Sequence, residues 1–284
     1  METNVKGGNT KKLVFKIFVV VILTICCFAV LYPIVYTIST AFSPKATDAA
    51  SSIVPFADGF STLQFEKLFF ENDYLKWVLN SFIVAICTSL FTLMICSLSA
   101  YVFSRFKFAF RKTMMISMLI LQVFPSFVGM IAIYVICNRF NLMDNLFGLV
   151  LIYTAGNIPY NTWLVKSYLD TIPKALDEAA RIDGAGHFRI FFTVIMPIAR
   201  PIMVFLMITS FTGPWMDYIY PKMILSSSEK MTLAVGIMKF IEDTQNRFTL
   251  FAAGALLVSV PFVIFFVLGQ KSMTTGLGAA AVKG

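Results

Sequence analysis

Six mostly apolar stretches run along this chain: Leu13–Thr40, Trp77–Ser104, Met114–Cys137, Leu146–Tyr168, Pro201–Leu225 and Phe248–Gly269. A bilayer core about 30 Å thick needs about 20 such residues per crossing helix. The runs are continuous and do not alternate with period two, which argues against a barrel. The fourth and fifth are interrupted by Asn157, Pro159, Asn161 and Asp217. Only 13% of the 284 residues are charged, about half the share of a soluble domain. The sequence therefore predicts an all-α, polytopic membrane helix bundle of six spans.

A net charge of +8 raises nucleic acid as a partner, but the placement of the charges argues for none. With Met1 inside, the inner segments hold 15 of the 23 Lys and Arg. The cluster from Arg105 to Lys112 is the firmest inside marker, and the positive-inside rule then puts both termini in the cytoplasm. The first run follows lysines as a signal peptide does. It is too long for an h-region and no A-x-A site follows, so an uncleaved first span is expected. The domain reading is a tail over 1–12, a transmembrane domain over 13–270 and a tail over 271–284. The first outer segment, Ala41–Lys76, reads as an ordered cap, and the last, Ser226–Arg247, as a partly ordered loop. Cys26, Cys27, Cys87, Cys96 and Cys137 all lie in apolar runs, as free thiols used as small hydrophobes.

The segment 170–200, between spans four and five, is neither a turn nor a hydrophilic linker. Thr171 can cap a helix and Pro173 suits its first turn. Ile172, Ala175, Leu176 and Ala179 make one apolar face, with Asp177, Glu178 and Arg181 off its centre. Gly184 and Gly186 supply the stop, and a second helix over Phe188–Ile195 leads to Pro197. Periodicity alone leaves two readings open: a rigid lever for a partner, or an interfacial helix on lipid headgroups.

Glu178-Ala179-Ala180-Arg181-Ile182-Asp183-Gly184, followed by Val194-Ile195-Met196-Pro197, resembles the EAA motif of binding-protein-dependent ABC import permeases. Val194 and Met196 are mild departures from isoleucine and leucine. Lys166-Ser167-Tyr168, Ile172-Pro173-Lys174 and the fifth-span Gly213-Pro214-Trp215-Met216-Asp217-Tyr218 resemble the carbohydrate branch, although Met216 stands at a usual asparagine. The tail Gly276–Gly284 is similar to the maltose/maltodextrin type. The resemblance implies a type I importer permease fold in the bacterial cytoplasmic membrane, with a coupling helix in segment 170–200. It implies a second permease subunit, two ATPase subunits that bind the ATP and Mg, and an extracytoplasmic sugar-binding protein. Glu178, Ala179, Ala180, Gly184 and Pro197 are then the ATPase-docking positions. The loop Ser226–Arg247 meets the binding protein, and the tail lies along the ATPase interface.

No P-loop occurs in the chain, so no ATP hydrolysis, catalytic residue, metal or cofactor of its own is expected. Gln122, Asn157 and Asn161 can line a sugar path or glue helices together, and glue is the expectation. Trp215 and Tyr218 serve as interfacial anchors or as pore wall. Asp217 is the acid deepest in a predicted span, with a structural role expected. His187, the lone histidine, reads as a surface or interface residue. Pro125, Pro159, Pro214 and Pro261 are expected to kink spans. The alternatives are an ion-coupled secondary transporter, which needs midplane acids or histidines, and a membrane enzyme, for which no catalytic cluster is present.

Overall fold

The computed structural model describes residues 5–45, 53–123, 125–242 and 247–281, and among these every regular element is helical. In chain order they are α1 (Val5–Ala41), α2 (Leu63–Phe70), α3 (Tyr74–Arg105), α4 (Arg111–Val123), α5 (Ser126–Arg139), α6 (Leu146–Leu169), α7 (Ala175–Ile182), α8 (His187–Ile190), a π turn (Phe191–Ile195), α9 (Met196–Ile198), α10 (Arg200–Met216), α11 (Ile219–Ile224), a 3-10 turn (Ser228–Lys230), α12 (Leu233–Glu242) and α13 (Phe248–Ala281). Among the described residues three helices are long and apolar enough to cross a membrane, over Lys12–Ala41, Tyr74–Arg105 and Phe248–Phe265. Two bent pairs, α4 with α5 and residues 187–198 with α10, raise the number to five. The sixth expected span is α6. At roughly 36 Å for its 24 residues it has the length, but Asn157, Pro159 and Asn161 interrupt its middle.

Pro125 divides the expected third span, standing just before α5. Pro159, Pro214 and Pro261 lie inside α6, α10 and α13. The expected fifth span ends early: Asp217 is extended backbone, and α11 begins two residues later.

Two compact units divide the chain, Met1–Asn72 with Phe240–Leu257, and Asp73–Lys239 with Val258–Gly284. In the first, α1 exposes its apolar side chains from Leu13 to Val35, a surface for lipid or a partner rather than water. Ala41 packs on Ala252 and Ala253, with Phe65 and Leu256 around them. The expected cap after α1 is ordered where it is described: buried Gln64 donates to the Ser43 and Lys45 carbonyls, and Lys45 pairs with Asp58 at 2.7 Å. Residues 46–52 of that cap lie outside the described residues, as do 243–246 of the last outer segment.

The second unit is organised by α3, whose buried Ser81, Thr88, Ser89, Thr92 and Ser97 form a polar seam. Small residues let helix backbones approach closely, and their hydroxyls bond across the gap. Ser89 Oγ donates to the Met207 carbonyl of α10 at 2.9 Å, and Thr92 faces Asn157 of α6. Ser104 at the end of α3 meets Asp170 at the end of α6, so these two helices run parallel. Aromatic contacts from Phe82 to Phe211 and Trp215 set α10 antiparallel to α3. At the lower end, Tyr101, Leu169, Ile190, Phe191, Ile195 and Leu206 form one core, which seats segment 170–200 under α3 and α6.

The segment expected as a partly ordered loop is largely helix. Leu233 to Ile237 of α12 are buried, and the Leu233 amide donates to Ser81 Oγ at 2.7 Å. Gly236 lies flat on Trp77, whose ring atoms occupy the place of a Cβ. The longest exposed stretch described in it is Ser226–Lys230. All five cysteines are free; Cys96 and Cys137 are buried, while Cys26 and Cys27 are exposed on α1.

Candidate functional site

Segment 170–184 is built onto the ends of α3 and α6 by one arginine. Arg105, the last residue of α3, donates through Nη1 to the Leu169 carbonyl and through Nη2 to the Ile172 carbonyl, both at 3.1 Å. Its Nε lies 3.0 Å from Asp177 Oδ2, and the two side chains are only 5% and 8% exposed. The contact is an ion pair without hydrogen-bond alignment, since neither carboxylate oxygen of Asp177 takes a hydrogen bond. Charge attraction in a site with little water therefore holds the pair, and removing either partner leaves a buried charge alone. Asp170 braces the same corner, accepting from Ser104 Oγ at 2.7 Å and pairing with Lys166 at 2.6 Å.

The pair fixes which way α7 faces. Asp177 faces the body of the unit, whereas Ala175, Leu176, Glu178, Ala179 and Ile182 are exposed. The reason is Arg105: a buried guanidinium at the end of α3 requires an acid, and Asp177 is the residue of α7 that reaches it. Of the expected apolar face, only Ile172 is buried. The start also differs. Thr171 Oγ1 donates back to the Tyr168 carbonyl and caps nothing, and α7 begins after Lys174 without a side-chain cap.

The end is as the glycine predicts. Gly184 has φ +81°, the Ala185 amide donates to the Ala180 carbonyl, and the Gly184 amide to that of Arg181, both at 2.9 Å. This is a Schellman stop, with small Ala180 and Ala185 both packed on the core below it. A Cβ on Gly184 would meet open space, so its backbone angle alone asks for glycine. The expected second helix is split. It starts at His187, and a π turn covers Phe191–Ile195 just before Pro197, which has no N–H to offer Thr193. Pro197 and Phe188 are exposed, and the His187 ring rests on Phe106 at 4.8 Å. Glu178, Ala179 and Gly184 are thus each exposed, and Ala180 is half-buried. Pro197 stands apart on α9.

Toward the other end of α6, a cavity of about 450 Å³ is lined by Phe127, Met130, Tyr153, Asn157, Met216, Asp217 and Tyr220. Asp217 is fixed by its own turn, its carboxylate accepting from the Ile219 and Tyr220 amides and from Tyr153 Oη at 2.7 Å. Its role is structural at the α10 end, and it also presents an acid to this cavity. Of the expected path residues only Asn157 lines it, with a long 3.5 Å approach to Thr92 Oγ1. Asn161 is buried and donates to the Asn157 carbonyl one turn back on its own helix. Gln122 is exposed elsewhere on α4. Trp215 is buried and does not line the cavity, donating to the Val258 carbonyl at 3.0 Å. Tyr218 is half-buried and lies under Lys222.

A second anchored segment was not foreseen. Asp144, in left-handed backbone at φ 52°, accepts from the Ser226 and Ser227 amides, from Ser227 Oγ at 2.6 Å and from Lys230 Nζ at 3.0 Å. These donors, the Ser227 hydroxyl first, hold its carboxyl well below the usual carboxylate range. Asn80 of α3 donates to the Glu229 and Met231 carbonyls. The exposed loop 226–230 is therefore clasped from two sides, one α6 length away from α7.

Residues 93–271 match the family described as binding-protein-dependent transport system inner membrane component. The chain is 37% identical to the maltodextrin transport system permease protein MdxG of Bacillus subtilis, covering 98% of this chain and 100% of that one. It is 35% identical to the galactooligosaccharides transport system permease protein GanQ of the same organism, over 94% and 95%. Against the maltose/maltodextrin transport system permease protein MalG of Vibrio vulnificus identity is 30%, over 90% and 91%. A chain of the bacterial ABC transporter for import of the acidic polysaccharide alginate superposes with a TM-score of 0.81 at 21% identity, over 92% of this chain and 97% of that one.

Proposed function

The chain belongs to the family of binding-protein-dependent transport system inner membrane components, and from that premise we propose that it is the permease subunit of an ATP-driven carbohydrate importer. The maltodextrin and galactooligosaccharide permeases among its relatives support an oligosaccharide as cargo, and maltodextrin is the first to try. The observation that carries the reading is the form of segment 170–184. Its Glu178-Ala179 patch is exposed, small and charged, while its underside is pinned to α3 and α6 through Arg105 and Asp177. A helix so held passes a push on its outer face to the spans above it.

In this reading α7 lies in the cytoplasm, as do both termini, and docks in a cleft of an ATPase subunit. Residues 1–12 and 271–284 are the tails of a transmembrane domain over 13–270. The last of the tail, Val282–Gly284, lies outside the described residues. Two such ATPase subunits bind ATP and Mg, a second permease completes the pore, and an extracytoplasmic sugar-binding protein meets the clasped loop 226–230. Closure of the ATPase pair moves α7 with its helices and switches the bundle between inward-open and outward-open states. The cavity by Asn157 and Asp217 lies on the route, with Tyr153 and Tyr220 to stack on sugar rings.

The test is uptake. Cells making the chain with its partner subunits accumulate labelled maltotriose as long as they hold ATP. Glu178→Lys stops this and releases the ATPase subunit from the solubilised complex, while the chain stays in the membrane. Full uptake by the variant, or uptake that follows a proton or sodium gradient instead of ATP, overturns the proposal.

A further inference from the structure

The end of the second unit that carries α7 also carries a basic cleft with no part in the proposed function. It lies between the turn after α3, the start of α4 and the last turns of α6, and has a volume of about 670 Å³, within the usual range for small-molecule pockets. Lys107, Arg111, Lys112 and Lys166 line it, together with Phe110 and Trp163. Lys166 is already paired with Asp170 at 2.6 Å. Lys107, Arg111 and Lys112 meet no acid among the described residues. Like charges gathered at one mouth repel each other, and an anion between them relieves that cost.

The surroundings say which anion. Trp163 is fixed by an Nε1 hydrogen bond to the Met115 carbonyl at 2.7 Å, with the Lys166 ammonium 5.9 Å from its ring centre. An indole held beside cations is the usual furniture of a membrane–water interface. Directly beyond the cleft, α4 exposes Met114, Ile116, Leu119 and Ile120, and Phe110 at its mouth is 77% exposed. Free phosphate satisfies the cations and leaves this strip uncovered, and an acidic protein segment does the same. A molecule with a charged head and a hydrocarbon chain satisfies both.

We propose that this cleft binds the phosphate headgroup of an anionic phospholipid, one acyl chain of which lies along α4. Basic pockets between membrane helices on the cytoplasmic side suit such headgroups. At roughly fivefold in affinity per cation near a membrane surface, losing three of them weakens binding by about 100-fold.

The experiment uses the full-length chain in the complex it assembles into, purified in neutral detergent. Dioleoylphosphatidylglycerol is titrated in, and retained lipid is counted by native mass spectrometry alongside the melting temperature. Wild type retains the lipid and melts higher with it, dioleoylphosphatidylcholine does neither, and K107Q/R111Q/K112Q binds about 100-fold more weakly. K107Q/K112Q changes only exposed side chains and keeps the test open if the triple variant does not fold, with roughly a 30-fold loss expected for two cations. Undiminished binding by the variants, equal binding of the choline lipid, or the whole melting shift from inorganic phosphate alone overturns the proposal. So does a cross-link from Lys112 to a partner subunit that excludes the lipid.

Discussion

Replacing Asp177 by alanine tests whether one buried pair fixes α7 to the spans. Both side chains are nearly withdrawn from water, at 5% and 8% exposure, so the variant leaves the Arg105 guanidinium charged and without its counterion. Breaking such a pair costs about 3–5 kcal/mol, and the two carbonyl acceptors that Arg105 keeps put the expectation near the lower end. For a chain of this size each kcal/mol moves the melting temperature by about 2–4 °C, so a fall of roughly 6–12 °C is expected. The double variant R105M/D177L is the control. It removes both charges and fills the space, leaving the Leu169 and Ile172 carbonyls without their donor at about 1 kcal/mol each, while Ser104 Oγ loses a longer 3.3 Å contact and keeps its bond to Asp170. It should therefore melt above D177A, with strong coupling in the double-mutant cycle. Melting is read in detergent by the fluorescence of the three tryptophans. A fall below about 2 °C for D177A is what an exposed pair gives, and it would refute the reasoning. So would additive losses in the double variant.

Three further outcomes follow from other contacts. Asp144→Asn should loosen loop 226–230, which faster tryptic cleavage after Lys230 reports. Because the Asp144 carboxyl is held below its unfolded value, its contribution is full above about pH 4 and fades as pH falls through the folded value. The wild-type melting temperature should accordingly drop more steeply between about pH 4 and 2 than that of the variant. Gly236→Ala puts a methyl where the Trp77 ring lies, at a cost of about 1–3 kcal/mol for overpacking, seen as lower melting with a shifted tryptophan spectrum. Gly184→Ala meets no neighbour but forces an L-residue into left-handed backbone, at about 1–2 kcal/mol. It should unravel the end of α7 and speed amide exchange at Gly184 and Ala185 with little change in global melting.

The spans were legible because apolar runs of this length leave no other solvent, and α3 and α13 fall where the runs predict. Gly184 was legible too, since a glycine after a short helix has one common use. Asp144 and Ser227 stand 83 residues apart, and no local pattern links them. Asp217 read as intramembrane because periodicity cannot tell a helix from the turn that follows when both are apolar. The run at Leu233–Ile241 was visible, but its burial against Trp77 and Ser81 depends on the far end of α3. Asn157 and Asn161 show the same limit: both lie on α6, and only packing decides that one lines a cavity while the other is buried.

The way α7 faces carries the larger lesson. A helix that buries its acid and shows its alanines, Leu176 and Ile182 to the outside breaks the usual amphipathic rule. Such a face stays soluble only if something else covers it, whether lipid or a protein cleft. Glu178 lies within that face, and a buried carboxylate in hydrocarbon is costly unless paired, which favours a protein cleft with a cation to receive it. Ile182 separates the two readings. At 87% exposure, Ile182→Ser should change the chain's own melting by no more than about 0.5 kcal/mol. If the face seats in an ATPase subunit, the same variant should weaken copurification of that subunit severalfold, with the loss independent of lipid composition. Retained copurification together with weaker membrane association would mean that the face lies on lipid, and that force reaches the spans by some other element.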